Sequence, residues 1–277
     1  MGALGEVRAV TDPIIALGGA IPNAIVGRTA LVTGAGNGLG RVIALCLAQA
    51  GARVVLVGRT EAKLTSVAEE ILNVGATARV APCDTSDPSD VERLAIVLGE
   101  EDISILINNA GVAGPVAPLI EVSPQEWDDT FAANVRGVFL MCRSFLPPMI
   151  AAGRGDIINV ASISGKRPLA RRTPYTSSKM AVIGLTTTLA YEVGPLGIMV
   201  NSLSPGPVRG PRMERNFRLE AERTGSTQEE AERAFTSRSA LQRMVEEDEV
   251  GAAVVAMLHM PGMTAADVDL SAGMVGR

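Results

Sequence analysis

The stretch Thr29-Ala-Leu-Val-Thr33 runs directly into Gly34-Ala-Gly-Asn-Gly-Leu-Gly40, and the reading of this segment decides the fold. The apolar run ending at Thr33 predicts a short buried strand, the glycines a tight turn, and the apolar spacing onward to Ala50 a helix. Such a turn presents free backbone amides and the positive end of a helix to an anion, and glycines let the backbone approach a pyrophosphate closely. Gly34, Asn37, Gly38 and Leu39 are therefore candidate phosphate-side residues. One glycine turn alone is weak evidence, but a second apolar run, Arg53 to Val57, follows after Gly51 and predicts the next strand.

Working outward, strand and helix signals keep alternating. Leu64, Val67, Ala68, Ile71 and Leu72 mark a helix face, Thr77 to Ala81 a strand, and Asp87-Pro88 the start of a helix carrying Val91, Leu94 and Leu98. Ile103 to Ile107 predicts a buried strand ending in Asn108, Asn109, Ala110 and Gly111, small and polar residues where an open sheet binds ligands. Ser123, Pro124 and Glu126 form a capping box for a long helix through Trp127, Asn134 and Cys142. Asn134 is a polar amide among apolar neighbours, and two readings stay open: a satisfied core residue, or one that orients water and a lysine. Further strands are expected at Asp156 to Ala161, Ile198 to Leu203 and Val268 to Leu270, with a charged, mobile-looking segment to about Arg243 before a helix at Glu247 to Leu258. The expected fold is α/β, a Rossmann-like doubly wound parallel sheet of about seven strands in a single domain, 27–277, with a lid at about 207–243. Residues 1–26, apolar from Ile14 to Ile21 but broken by Gly18, Gly19 and Pro22, are expected to form an N-terminal arm rather than a leader.

Composition bounds the function. With 277 residues, 47% hydrophobic and 20% charged, the chain suits a folded domain, and no uninterrupted apolar run approaches the roughly 20 residues of a membrane helix. A net charge of −5 argues against nonspecific nucleic-acid binding. Cys46, Cys83 and Cys142 lie far apart beside a single histidine, His259, so no zinc spacing exists; the thiols are expected to be buried and reduced in the cytoplasm. No metal, nucleic-acid or membrane partner is expected.

The chemistry-bearing run is Pro174-Tyr-Thr-Ser-Ser-Lys179. Thr173 and Pro174 suit a helix start, which would put Lys179 one turn from Tyr175. A cation at about 4 Å and an effective dielectric of about 20 is worth roughly 4 kcal/mol, or ~3 pK units, to the phenolate. A phenol tuned in that way serves as a general acid and base, and Tyr175 is the candidate for it.

Taken together, Thr33, Gly34, Gly38 and Gly40, then Asp84, Asn108 to Gly111, Asn134, Ser162, Tyr175 with Lys179, and Pro205-Gly206 resemble the short-chain dehydrogenase/reductase family from Gly27 to the carboxyl terminus. The resemblance implies hydride transfer between a nicotinamide cofactor and a carbonyl or secondary alcohol, of the 3-oxoacyl reductase or polyol/steroid dehydrogenase kind. It implies that Tyr175 exchanges the proton, Ser162 hydrogen-bonds the reacting oxygen, Lys179 holds the nicotinamide ribose, and Asn134 supports a relay water. Asp84 and Thr85 would face adenine, while Asn109, Ala110, Gly111, Pro205, Gly206 and Val208 would line the dinucleotide. Two departures stand out: Gly210 replaces a threonine common after the Pro-Gly pair, and Asp269-Leu-Ser-Ala-Gly273 replaces an Asp-Gly-Gly ending. The resemblance further implies a homotetramer or dimer paired through the Trp127 and Tyr175 helices. The alternative reading is a dinucleotide-binding sensor without turnover.

Two specificity expectations follow from charge. Gly58-Arg59 stands where NAD-using folds place a carboxylate, so NADP(H) is favoured over a possible NAD(H), with Arg59 on the 2′-phosphate. Lys166, Arg167, Arg171 and Arg172, with Arg209, Arg212, Arg215 and Arg218, would steer an anionic substrate, and Met213 and Phe217 would give the lid an apolar inner side.

Overall fold

The computed structural model describes residues 25–275. The proposed arm at 1–26 therefore lies outside the described residues except for Ile25, which is fully buried, and the half-exposed Val26. Seven parallel strands form one sheet: β1 Thr29–Thr33, β2 Arg53–Gly58, β3 Thr77–Pro82, β4 Ile103–Asn108, β5 Gly155–Val160, β6 Ile198–Pro205 and β7 Asp267–Leu270. Their spatial order is β3-β2-β1-β4-β5-β6-β7, the doubly wound Rossmann-like order. The order reverses between β1 and β4, so the crossovers from these two strands leave toward opposite faces and open a crevice at their carboxyl ends.

The period of two along each strand sorts side chains to the faces. Ala30 and Val32 of β1, Val54 and Leu56 of β2 and Ile105 and Ile107 of β4 pack under α1 Gly38–Gln49, α2 Glu61–Asn73 and α9 Glu247–Leu258. Leu31, Val55 and Leu106 face the other way, onto α3 Pro88–Val97, α5 Gly137–Ala152 and α6 Thr173–Val193. Both faces being covered explains why the central strands read as continuous apolar runs rather than as alternating ones. Gly251 lets α9 approach α1 closely, since a Cβ there would run into the Cys46 side chain.

The helical run Pro124–Ala152 begins as α4, Pro124–Phe131, behind the expected Ser123/Glu126 capping box, and continues through a π-helical turn, Ala132–Arg136, into α5. By length and mean hydropathy this run would suffice to cross a membrane. It is broken by Arg136 and Arg143, and Met141, Phe145 and Met149 bury it against the sheet as an interior helix.

Two local expectations need correction. Thr173 is not the cap of α6: Arg172 holds that position without a side-chain cap bond, and its carbonyl accepts from Thr176 N at 2.9 Å. The segment read as mobile, 207–243, contains two helices, α7 Pro211–Thr224 and α8 Gln228–Thr236, the second begun by a Thr227/Glu230 capping box. Met213, Phe217 and Ala221 recur at helical spacing and close a small core with Ala231, Phe235 and Met244. Met213 and Phe217 are thus spent inside this helical pair, rather than forming an apolar inner face.

Candidate active site

A cleft of about 740 Å³ runs along the carboxyl ends of β1 to β6. Every expected site residue except Asn134 lines it: Gly34, Asn37, Gly38 and Leu39 from the turn after β1, Arg59 after β2, Asp84 and Thr85 after β3, Asn109, Ala110 and Gly111 after β4, Ser162 after β5, Tyr175 and Lys179 from α6, and Pro205, Gly206 and Val208 after β6. Gly34 and Gly38 have φ of +67° and +50°, conformations that glycine supplies without strain. A Cβ built on Gly38 would meet nothing nearer than Glu247 Oε1 at 3.9 Å, so the bare backbone faces open cleft, as a cradle for a bulky anion requires.

The β4 side is pinned to this turn. Thr33 Oγ1 accepts from Asn109 N and Ala110 N, both at 3.0 Å, and Asn109 Nδ2 donates to Thr33 O at 2.9 Å. Asn134, fully buried, stands one layer behind Gly111. Its Oδ1 accepts from Val112 N at 2.7 Å, while Nδ2 donates to Val112 O and to Ser178 Oγ, each at 3.0 Å. Of the two open readings, the geometry supports a satisfied interior amide, and what it orients is the loop after β4 and the base of α6. The π-helical turn brings it there: widening the helix by one residue shifts the side-chain register, as such turns do at functional sites.

Ser162 is buried at the end of β5, and its Oγ accepts from Ser164 N at 3.1 Å, which leaves the hydroxyl proton to donate. Lys179 is also buried, with Nζ donating to Val160 O at 2.8 Å. The Arg172 guanidinium lies over the Tyr175 ring, 5.4 Å from its centroid. Burial pushes the Asp84 carboxyl up, but hydrogen bonds from Ser86 N and Oγ, helped by Arg59 and Arg136, outweigh it and leave the group more acidic than usual. Cys83 also lines the cleft, yet burial, with Asp84 adding, pushes its thiol up to about 11, so it is no nucleophile. Burial does the same to Cys142, to about 12; Cys46, expected to be buried, is only partly so. His259 caps α9, Nδ1 lying 2.8 Å from Val255 O, in a structural position.

Charge near the cleft differs from expectation. Lys166 is paired with Asp267 and Asp269, and Arg209 with Glu232 and Glu246, so two of the expected steering cations are neutralised by carboxylates that lie far off in sequence. Sequence reading also missed Thr60 and Lys63, which line the cleft beside Arg59. The available signal was position, since both follow the second strand as Arg59 does.

A family model described as short chain dehydrogenase matches residues 28–222. The chain is 34% identical over 207 residues to D-beta-hydroxybutyrate dehydrogenase of Rhizobium meliloti, covering 73% of this chain and 80% of that one. It is 39% identical over 181 residues to D-threitol dehydrogenase of Mycolicibacterium smegmatis, covering 65% and 69%. Among solved structures, a variant of actinorhodin polyketide ketoreductase with NADPH superposes with a TM-score of 0.83 at 30% identity, covering 89% of this chain and 97% of the other.

 NAD⁺-bound xylitol dehydrogenase gives the same TM-score, 0.83, at 29% identity, over 90% of this chain and 99% of that one.

The tightest point of the site supplies a test. A Cβ on Gly111 would sit 2.8 Å from Asn134 Oδ1 and 3.6 Å from Lys179 Nζ, so Gly111→Ala must displace the amide or the loop. Overpacking of this kind costs about 1–3 kcal/mol, and a lowered Tm in thermal unfolding is expected. A Tm equal to that of the wild type would show that the loop yields without cost.

Proposed function

The chain belongs to the short-chain dehydrogenase family, and from that premise we propose how its cleft works. It is an oxidoreductase that uses a nicotinamide cofactor to interconvert a secondary alcohol and a carbonyl in a small-molecule substrate. Tyr175 is the acid/base: its phenol gives a proton to the carbonyl oxygen in reduction and takes one from the hydroxyl in oxidation. Ser162 donates a hydrogen bond to the same oxygen, its own lone pair being engaged by Ser164 N. Lys179 holds a ribose hydroxyl and favours the phenolate, and Asn134 keeps α6 and the loop after β4 in register through its bonds to Val112 and Ser178. Gly34, Asn37, Gly38 and Leu39 take the pyrophosphate, Asp84 and Thr85 the adenine side, and Asn109, Ala110, Gly111, Pro205, Gly206 and Val208 the remaining length of the cofactor. When bound, the nicotinamide supplies or accepts the hydride. The observation that carries this reading is that Ser162, Tyr175 and Lys179, from two separate elements, line the same cleft as the glycine turn. Residues 27–277 are read as one domain with α7 and α8 as its lid, and the free thiols suit a reducing, cytoplasmic setting.

NADP(H) is the preferred cofactor. Arg59 and Lys63 both border the cleft beside β2, and no carboxylate ends that strand, so two cations are available for a 2′-phosphate. The protein is also a homodimer or homotetramer. On α6, Met180 and Tyr191 are 49% and 81% exposed on a stripe that includes Gly184, and Phe139 on α5 is 47% exposed, a face that pairing with a second copy would cover.

Three measurements check these readings. Purified protein should reduce ethyl acetoacetate with NADPH or oxidise xylitol or D-threitol with NADP⁺, and Tyr175→Phe should lower kcat by about 10²–10⁴-fold with cofactor affinity kept. A variant retaining more than about a tenth of the rate would remove Tyr175 from the role, and a wild type inert on all three would favour a non-catalytic dinucleotide sensor. Arg59→Asp/Lys63→Ala should weaken NADPH binding about tenfold or more and leave NADH unchanged, as loss of ~1.5–3 kcal/mol of charge-assisted bonding implies; equal effects on both cofactors would refute the NADP assignment. Light scattering at micromolar concentration should give a dimer or tetramer mass, and a monomer would rule out the α5/α6 pairing.

A further inference from the structure

Lys166 is the last residue of the short turn that Ser162 begins, and its side chain is only 12% exposed. Its ammonium is held by Asp267 at 2.5 Å and by Asp269, two residues apart and so on one face of β7. The other oxygen of Asp267 accepts from Ser202 Oγ at 2.8 Å and Ser204 Oγ at 2.7 Å, which carries the connection into β6. At its near end the turn is closely bound. Gly165 N donates to Ser162 O and Lys166 N to Ile163 O, both at 3.0 Å, and Arg167 N to Ile163 O at 2.8 Å. A Cβ on Gly165 would lie 3.0 Å from the backbone of Lys179 and Met180, so the turn rests directly on α6. The Ser162 hydroxyl accepts from Ser164 N, a residue of this same turn.

A largely buried ammonium between two carboxylates is a poor source of net stability, because desolvation offsets most of the attraction. Its effect is geometric: it admits one placement of the turn, and the strand that supplies the carboxylates also touches the far side of the cleft, where Gly206 N donates to Leu270 O at 2.8 Å. From this we infer that Lys166 is a positioning residue, anchoring the Ser162 turn to β7 so that the Ser162 hydroxyl points at the reacting oxygen. The inference rests on the catalytic reading of Ser162 given above. Removing the ammonium frees the turn and leaves Tyr175 and the glycine turn intact, so turnover suffers and cofactor affinity does not.

The test is a double-mutant cycle on kcat with NADPH and ethyl acetoacetate, or with NADP⁺ and whichever of xylitol and D-threitol is turned over faster. Lys166→Met should lower kcat about tenfold or more with the NADPH Kd unchanged, and Lys166→Arg should restore most of the rate. In a Ser162→Ala background the same Lys166→Met change should have almost no further effect, since the group it positions is gone. An equal loss in both backgrounds, or no loss in the first, overturns the inference. Ser162→Ala with wild-type turnover would instead sink the catalytic reading of Ser162, a separate result. Because Lys166→Met leaves two carboxylates facing each other, the cycle is repeated with Lys166→Met/Asp269→Leu. If neither variant folds, the ion pair is structural and the inference falls.

Discussion

The carboxyl ends of β1 and β4 touch each other, and the rest of the molecule is arranged around that contact. The Thr33 hydroxyl takes the amides of Asn109 and Ala110, and the Asn109 side chain returns a bond to the Thr33 carbonyl. Backbones can meet there only because side chains are missing. A Cβ on Gly34 would lie 2.9 Å from Asn109 Nδ2, and one on Gly40 would run into the carbonyl of Gly34. The sheet changes winding direction at the same place, so the contact forms the floor of a crevice that the helices cannot fill.

A second crossing, behind Gly111, joins this floor to the chemistry. Asn134 spends both amide protons and its oxygen on the loop after β4 and on Ser178, and so fixes α6 relative to β4. Since α6 carries both Tyr175 and Lys179, a buried amide with no direct view of the cleft sets where the phenol and the ammonium stand. Low local dielectric makes each of these bonds strong and makes the loss of any of them costly.

Charge is distributed unevenly along the cleft. Arg59 and Lys63 border its β2 end, and Asp84 beside them is held ionised by Ser86 and nearby arginines. Toward Ser162 the positive charge is internal to the fold: Lys166 is consumed by β7, and Arg209 by Glu232 and Glu246. Two of the eight cations expected to steer an anion are thus spent on the fold, while the Arg172 guanidinium still lies over the Tyr175 ring.

Local sequence determined the elements. The strands from Thr29, Arg53, Ile103 and Ile198, the glycine turn, the Ser123 capping box and the one-turn spacing of Tyr175 and Lys179 were legible because backbone hydrogen bonding, turn conformation and helical period depend on residues a few positions apart. The α7 and α8 helices carried the same kind of signal, Met213, Phe217 and Ala221 at helical spacing, behind a dense run of charge. Tertiary structure alone decided the rest. The π-helical turn at Asn134 has no periodic signature, and the cap position of α6 falls on Arg172 rather than Thr173. Lys166 reads as a free cation until sheet order brings Asp267, 101 residues later, onto the strand beside β6. Which charges are spent on the fold and which remain for a ligand is set by strand order and register, quantities that no short window of sequence contains.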